Sequence, residues 1–157
     1  MKIQFWAIGK EHDPYVKTGV AEFTKRINNY YPAQWKITPS PKSAGASPSP
    51  DQKKKESDAV LKTLSSHDFL VALDERGKKL DSSSFADFLR KRANESSKNI
   101  IFLIGGAYGF HDDVLKRADF TLSLSDLTFP HQLVRLIVAE QVYRACTILK
   151  NEKYHHS

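Results

Sequence analysis

Short apolar runs alternate with amphipathic segments along the chain, and this alternation is the feature that most constrains the fold. The apolar runs predict five strands, over Ile3–Ile8, Trp35–Thr38, Phe69–Leu73, Asn99–Ile104 and Phe120–Leu124. The third and fourth are nearly continuous in apolar residues, which is typical of strands covered on both faces in parallel sheets. Each strand is followed by a helical pattern, so the order β-α, five times over, predicts an α/β fold with a mainly parallel sheet.

The segments between the strands carry apolar residues at three- and four-residue spacing, as helices do. Asp13 and Pro14 predict a helix start, with the helix continuing to about Asn28. Four further helices are predicted over Asp51–Leu64, Ser82–Arg92, Asp112–Arg117 and Pro130–Lys150. The residues Asp74–Gly77 are predicted to end the third strand as a turn. We interpret the lysines at 53–55 either as a solvated helix face or as RNA contacts.

Residues 39–50 differ in composition from the rest of the chain, because they hold four of the seven prolines and several serines. They predict a flexible loop, which serves either as a tolerated surface insertion or as a segment that touches substrate. The chain length of 157 residues fits a single domain, so we expect one domain over 1–157 with this loop inside it.

Charge and composition exclude several classes of protein. The chain carries 24 Lys plus Arg against 18 Asp plus Glu, a net charge of +6, which favours polyanionic partners or simply keeps the protein in solution. The longest apolar runs have five residues, far fewer than the roughly 18 that a membrane span needs. Cys146 is the single cysteine, and no Cys/His spacing is typical of zinc. We therefore expect a cytoplasmic protein without disulfides, metal or a membrane anchor.

Glycines follow the fourth predicted strand, in the sequence Gly105-Gly106-Ala107-Tyr108-Gly109. The spacing is not that of a dinucleotide-binding loop, and the chain has neither a P-loop nor a G-x-S-x-G motif. Adjacent glycines permit a ligand to approach the backbone closely, although a tight turn without a ligand needs them equally. Gly106 and Gly109 also match the G-x-x-G of KH domains, which binds a nucleic-acid backbone, but the strand-loop-helix order around them does not support a KH domain.

The loop before the last predicted helix, Leu124–His131, is largely apolar. Because loops normally avoid burial, this composition predicts a backbone packed into the fold, with N–H and C=O groups available to a flat ligand such as adenine. His131, at the start of the helix, is either structural or catalytic.

Taken together, these segments resemble the RlmH family of bacterial methyltransferases, which modify the N3 atom of a pseudouridine in large-subunit (23S) ribosomal RNA. The resemblance covers the whole chain except the loop at 39–50. It is carried by Leu73-Asp74, Gly105-Gly106-x-x-Gly109, Leu127-Thr128-x-Pro130-His131 with Arg135, Glu140-Gln141-x-Tyr143-Arg144-Ala145 and the terminal Tyr154-His155.

The resemblance implies a SPOUT-type single domain, with a mainly parallel α/β sheet and a deep trefoil knot near the C-terminus. It also implies a homodimer that binds S-adenosylmethionine in the knotted loops and completes its active site across the dimer interface. The residues implied to bind the cofactor are Leu73, Gly105, Gly106, Leu124, Ser125, Asp126, Leu127, Thr128 and Phe129.

The residues implied to act on the target base are His131, Arg135, Arg144, Tyr154 and His155. The chain has no room for a separate RNA-binding domain, so we expect the assembled ribosome as its substrate. Two alternatives stay open: a SPOUT methyltransferase that acts on transfer RNA, and a SPOUT-fold protein that binds RNA without catalysis.

Overall fold

The computed structural model describes residues 1–40, 50–95, 97–107 and 109–156. These residues form five strands, β1 (Lys2–Ile8), β2 (Ala33–Thr38), β3 (Asp68–Lys79), β4 (Asn99–Ile104) and β5 (Phe120–Ser123). They also form five helices, α1 (Pro14–Ile27), α2 (Pro50–Thr63), α3 (Ser82–Asn94), α4 (Asp112–Arg117) and α5 (His131–Leu149). The predicted order of strands and helices is confirmed, with small differences at the boundaries. The predicted loop at 39–50 falls mainly on 41–49, outside the described residues.

The five strands form one sheet in the order β2-β1-β4-β3-β5, and every paired neighbour is parallel. The predicted parallel α/β sheet is therefore confirmed. Because all strands run the same way, their C-terminal ends meet at one edge of the sheet. In open α/β sheets this is the edge where ligands bind, at the point where the order of strands reverses.

Both faces of the sheet are covered by apolar packing, which accounts for the continuous apolar runs of β3 and β4. On one face, Phe5 and Phe102 of the sheet pack with Phe85 of α3 and with α5, and the rings of Phe5 and Phe102 stack at 5.7 Å between centroids. The other face packs Leu70 and Leu103 toward α2 and α4. Cys146 is buried in the first of these cores, where burial raises the pKa of its thiol to about 12.

The third strand is longer than the sequence predicts, and the predicted turn at Asp74–Gly77 is wrong. The strand pairs with β5 up to Leu73, bulges, and pairs again at Lys78 and Lys79, which lie opposite Leu122 and Ser123. Gly77 permits this return, because a Cβ placed there would lie 2.5 Å from the carbonyl oxygen of Thr121. The polar composition of the bulge is that of a turn, whereas the second pairing is a tertiary contact that no local pattern predicts.

Replacing Gly77 by alanine is expected to lower the free energy of unfolding by about 2–4 kcal/mol, because the clashing atoms are backbone and cannot move aside. Gly19→Ala is the matched control. Its Cβ would meet only the flexible end of Leu136, and alanine favours the helix interior, so we expect a change within about 1 kcal/mol. Urea denaturation measures both. Equal stability of the two variants would contradict this account of the β3–β5 contact.

Asp81 caps helix α3, and its carboxylate accepts a hydrogen bond from the Ser84 backbone N–H at 2.7 Å. The capping pattern that the sequence offers, Ser82–Ser84 with Asp87, is not the one used, because the cap lies one residue earlier, at Asp81. Asp87 instead forms an exposed ion pair with Arg90.

Among the described helices, none is long and apolar enough to cross a membrane.

Candidate active site

A cavity of about 700 Å³ lies at the C-terminal ends of β3, β4 and β5. Leu73, Ile104 and Leu122, at or near the ends of these strands, form its floor. Two loops and the first turn of α5 form its walls. The cavity therefore lies at the sheet edge where a parallel α/β fold is expected to bind ligands.

The glycine loop after β4 forms one wall of the cavity. Its glycines serve both roles that the sequence allows, a tight turn and a backbone open to a ligand. Gly109 adopts a φ of +75° and donates its N–H to the Gly106 carbonyl at 3.2 Å, so a tight turn does need a glycine there. Gly105 lies under the ring of Phe110, which a Cβ would approach to 3.2 Å. Gly105 and Gly106 line the cavity, where the lack of side chains leaves their backbone open to a ligand.

The segment from Leu124 to Phe129 forms the opposite wall. The predicted burial of this loop is wrong at its centre, because Leu127 is 72% exposed and its other apolar residues, Leu124 and Phe129, are only half-buried. The apolar residues line an open cavity instead of filling a core. The loop is held by hydrogen bonds of its own serines, with Leu127 N–H donating to the Ser125 hydroxyl at 3.0 Å.

Eight of the nine residues predicted to bind a cofactor line the cavity. The ninth, Asp126, is not among the lining residues, and its carboxylate pairs with the Lys79 ammonium at 2.5 Å. This ion pair ties the loop to the end of β3, so Asp126 positions the wall of the cavity.

Charged residues form a further part of the cavity that the sequence did not predict: Lys53, Asp74, Glu75 and Arg76. Arg76 donates to both oxygens of the Asp74 carboxylate, at 2.8 and 3.0 Å, and this lowers the pKa of Asp74. Lys53, which the sequence places either on a solvated helix face or against RNA, lines the cavity from α2. The only signal in the sequence was the position of Asp74, directly after a buried strand.

The five residues predicted to act on the target base do not lie together. His131 lines the cavity at the first turn of α5. Arg135 lies one turn further on, fully buried, and donates to the Lys10 carbonyl at 2.9 Å instead of facing the cavity.

Arg144, Tyr154 and His155 lie together at the far end of α5, around the carboxylate of Glu140. Arg144 donates to Glu140 from Nε and Nη2 at 2.9 and 2.6 Å, and the Tyr154 hydroxyl donates to it at 3.0 Å. Burial, followed by the Glu140 contact, raises the pKa of Tyr154. The sequence did not single out Glu140 as the residue that organises this group.

We call Glu140, Arg144, Tyr154 and His155 the tail cluster. Within it, the contact with Arg144 sets the tautomer of the neutral His155 ring. Its Nδ1 lies 3.1 Å from Arg144 Nη1, and a guanidinium can only donate. Nδ1 therefore accepts, and in the neutral ring the proton lies on Nε2. His155 thus offers a donor at Nε2, next to a guanidinium held by a carboxylate.

The tail cluster is separated from the cavity of its own chain. His131 and Arg144 are 13 residues apart on one helix, which corresponds to about 20 Å at 1.5 Å per residue. None of Arg144, Tyr154 and His155 is among the cavity-lining residues. Within the described residues, no group of three or more His, Cys, Asp or Glu side chains could hold a metal ion.

Comparison with known proteins places the chain among methyltransferases. The family model described as "Predicted SPOUT methyltransferase" matches residues 1–155. Proteins named ribosomal RNA large subunit methyltransferase H are similar over 99% of this chain, with 47% identity for the one from Cytophaga hutchinsonii and 45% for the one from Trichlorobacter lovleyi, each covered over 100% of its length.

A solved structure supports the fold alone. It is described as that of a probable methylase family protein from Haemophilus influenzae Rd KW20. It matches 99% of this chain and 70% of its own, with a TM-score of 0.54 and 13% identity.

Proposed function

The chain belongs to the SPOUT methyltransferases and, within them, to the RlmH family, and from that premise we propose that it methylates the N3 atom of a pseudouridine in 23S ribosomal RNA, with S-adenosylmethionine as methyl donor. One observation carries the proposal: eight residues implied by the family resemblance line one cavity at the C-terminal edge of the parallel sheet. The relatives' names favour ribosomal over transfer RNA, and a catalytic over a purely RNA-binding protein.

The cavity suits S-adenosylmethionine in its chemistry. Leu73 and Leu122 offer apolar surface for an adenine ring, and the backbone of Gly105 and Gly106 is open to it. The charged residues at the side of the cavity have both signs, as the zwitterionic end of the cofactor requires. When bound there, the cofactor supplies a methyl group on a sulfonium, and the protein supplies alignment and electrostatics.

The protein's task is to make N3 of the base nucleophilic. N3 of pseudouridine carries a proton between two carbonyl groups, and loss of this proton leaves negative charge on N3 and on those oxygens. Arg144 and the Nε2 proton of His155 are suited to stabilise that charge, because both are donors fixed by Glu140 or by each other. Because His155 Nε2 already holds a proton in the neutral ring, we assign it as a donor to a carbonyl oxygen, with the N3 proton passing to solvent.

The distance between cavity and tail cluster supports a homodimer. A tail about 20 Å along α5 from its own cavity does not reach the methyl donor there, whereas the tail of a second copy can. We therefore propose that each active site joins the cavity and His131 of one chain to Arg144, Tyr154 and His155 of its partner. The dimer carries +12 from two chains of +6, which favours a ribosomal surface in the cytoplasm.

The one-domain SPOUT architecture over 1–157, with a deep trefoil knot in the C-terminal third, belongs to the same proposal. The family match over 1–155 and the crossing order of the strands support it. A knotted loop at Leu124–Phe129 would explain why so apolar a segment lies against a ligand cavity.

Titration calorimetry with S-adenosylmethionine separates the proposed enzyme from a non-catalytic RNA-binding protein. We expect saturable binding that is lost in Thr128→Trp, because Thr128 is exposed and lines the cavity, so bulk there fills the site without disturbing the core. The matched control is Thr18→Trp, an exposed position on α1. Absence of binding at millimolar cofactor would favour the RNA-binding alternative.

A further inference from the structure

We propose that the β1–α1 loop, Gly9–Asp13, forms part of the site for the RNA around the target nucleotide, with Lys10 and Tyr15 as RNA contacts and Arg135 as the residue that positions the loop. The inference rests on the proposed function, because it concerns recognition of the same RNA substrate.

The β1–α1 loop begins beside the wall of the cavity. It follows β1 at the C-terminal edge of the sheet, and β1 pairs with β4, whose last residue lines the cavity. Gly106, which lines the cavity, also lies close to the end of β1, because a Cβ on Gly106 would lie 3.5 Å from the Ile8 carbonyl oxygen. RNA that places a base at the cavity therefore passes close to this loop.

Two buried side chains of α5 hold the loop by its backbone. Gln132 bonds twice, donating from Nε2 to the Glu11 carbonyl at 3.2 Å and accepting from the Asp13 N–H at 2.9 Å. Arg135 donates from Nη1 to the Lys10 carbonyl at 2.9 Å. Both come from the first turns of α5, the same turns whose His131 and Val134 line the cavity. The helix thus fixes the loop and the cavity relative to each other.

The guanidinium of Arg135 is buried and is only partly satisfied by its hydrogen bond to the loop. It is 0% exposed, and two of its nitrogens, Nε and Nη2, have no hydrogen-bond partner. Burial lowers the pKa of its guanidinium, and no carboxylate in the described part of the chain lies within ion-pair distance of it. A neutral donor would tie the loop at a smaller desolvation cost. The buried guanidinium instead offsets the negative charge of Glu11 and Asp13 in the same loop, so these carboxylates oppose a phosphate near Lys10 less strongly.

The side chains exposed on this loop and on the first turn of α1 suit unpaired RNA. Lys10 is exposed and makes no ion pair within the described residues. Tyr15, in the first turn of α1, is 61% exposed, which is unusual for a large ring. An ammonium without an ion pair and an exposed aromatic ring, five residues apart in the chain, are the combination with which proteins bind single-stranded nucleic acid, one contacting phosphate and the other stacking on a base.

The test measures steady-state methylation of ribosomes by Lys10→Ala, Tyr15→Ala and Arg135→Met. We expect the KM for ribosomes to rise at least about fivefold with kcat within about twofold and cofactor affinity unchanged. The slope of log KM against log salt concentration should fall by about 0.7–1 for Lys10→Ala and Arg135→Met. The double variant with Lys10→Ala and Arg135→Met should raise the KM for ribosomes no further than either single variant. Arg135→Lys, which keeps the charge, should show the wild-type slope.

Wild-type activity is measured first, so failure of the proposed function is seen separately. Lys25→Ala, which removes an exposed lysine at the other end of α1, is the control and should leave KM and slope unchanged. Wild-type KM and slope in both Lys10→Ala and Tyr15→Ala would overturn the RNA contacts, and so would dimer dissociation in Tyr15→Ala with an unchanged slope. A change in thermal stability alone in Arg135→Met would overturn its positioning role. Because Lys10 and Tyr15 are exposed, their variants test the loop even if Arg135→Met fails to fold.

Discussion

Arg144→Ala and His155→Ala are each expected to lower the rate of methylation at least about 100-fold while cofactor affinity stays within about twofold. Removing one preorganised donor to a developing negative charge costs about 10²–10³ in rate. Arg144 is held by two bonds to Glu140, and His155 is oriented by Arg144. Neither residue is among those that line the cavity, so we expect both substitutions to leave the cofactor's own contacts in place. Single-turnover methylation and calorimetry measure the two quantities.

Arg90→Ala is the matched control for these variants. It removes an exposed arginine with its own carboxylate partner, Asp87, and should leave the rate within about twofold. Wild-type rates in both Arg144→Ala and His155→Ala would show that the tail cluster takes no part in the chemistry. An equal loss of cofactor affinity would show instead that the tail shapes the cofactor site.

A mixed dimer of two inactive chains is expected to regain about half the wild-type rate per dimer. One chain carries Thr128→Trp in the cavity and the other carries Arg144→Ala in the tail. If sites form across the interface, the intact cavity of the second chain meets the intact tail of the first, which gives one working site of two. The mixed dimer is isolated with a different affinity tag on each chain, so neither parent dimer contributes.

The parent dimers should each show less than about 1% of wild-type activity. A mixed dimer that stays at that level would contradict the shared site, because each chain would then need both of its own halves. A mixed dimer of Thr128→Trp with Arg90→Ala is the control, and it should also reach about half of the wild-type rate.

The sequence predicted the layers of the fold well because periodicity reports burial directly. The continuous apolar runs of β3 and β4 are buried on both faces, and the order of strands and helices is as the pattern predicts. The predictions failed where a contact is distant in the chain. The return of β3 to pair at Lys78 depends on the space beside Gly77, which Thr121 sets from more than 40 residues away.

The candidate site divides in the same way. Local patterns singled out the glycine loop and the apolar loop, and the family resemblance implied eight of the residues that line the cavity. The position of Lys53 in the cavity could not be predicted, because a run of three lysines does not indicate which side chain faces a cavity. The separation of Arg144 from His131 follows already from the predicted helix over Pro130–Lys150, because 13 residues at 1.5 Å each place them about 20 Å apart.

Methylation of three substrates by the purified protein tests the central claim most directly: assembled ribosomes, free 23S ribosomal RNA and transfer RNA. With labelled S-adenosylmethionine and mass spectrometry of the digested nucleosides, the account predicts a single methylated pseudouridine, modified at N3, in the 23S RNA of assembled ribosomes. Methyl transfer to transfer RNA alone, or to no substrate despite cofactor binding, would contradict it.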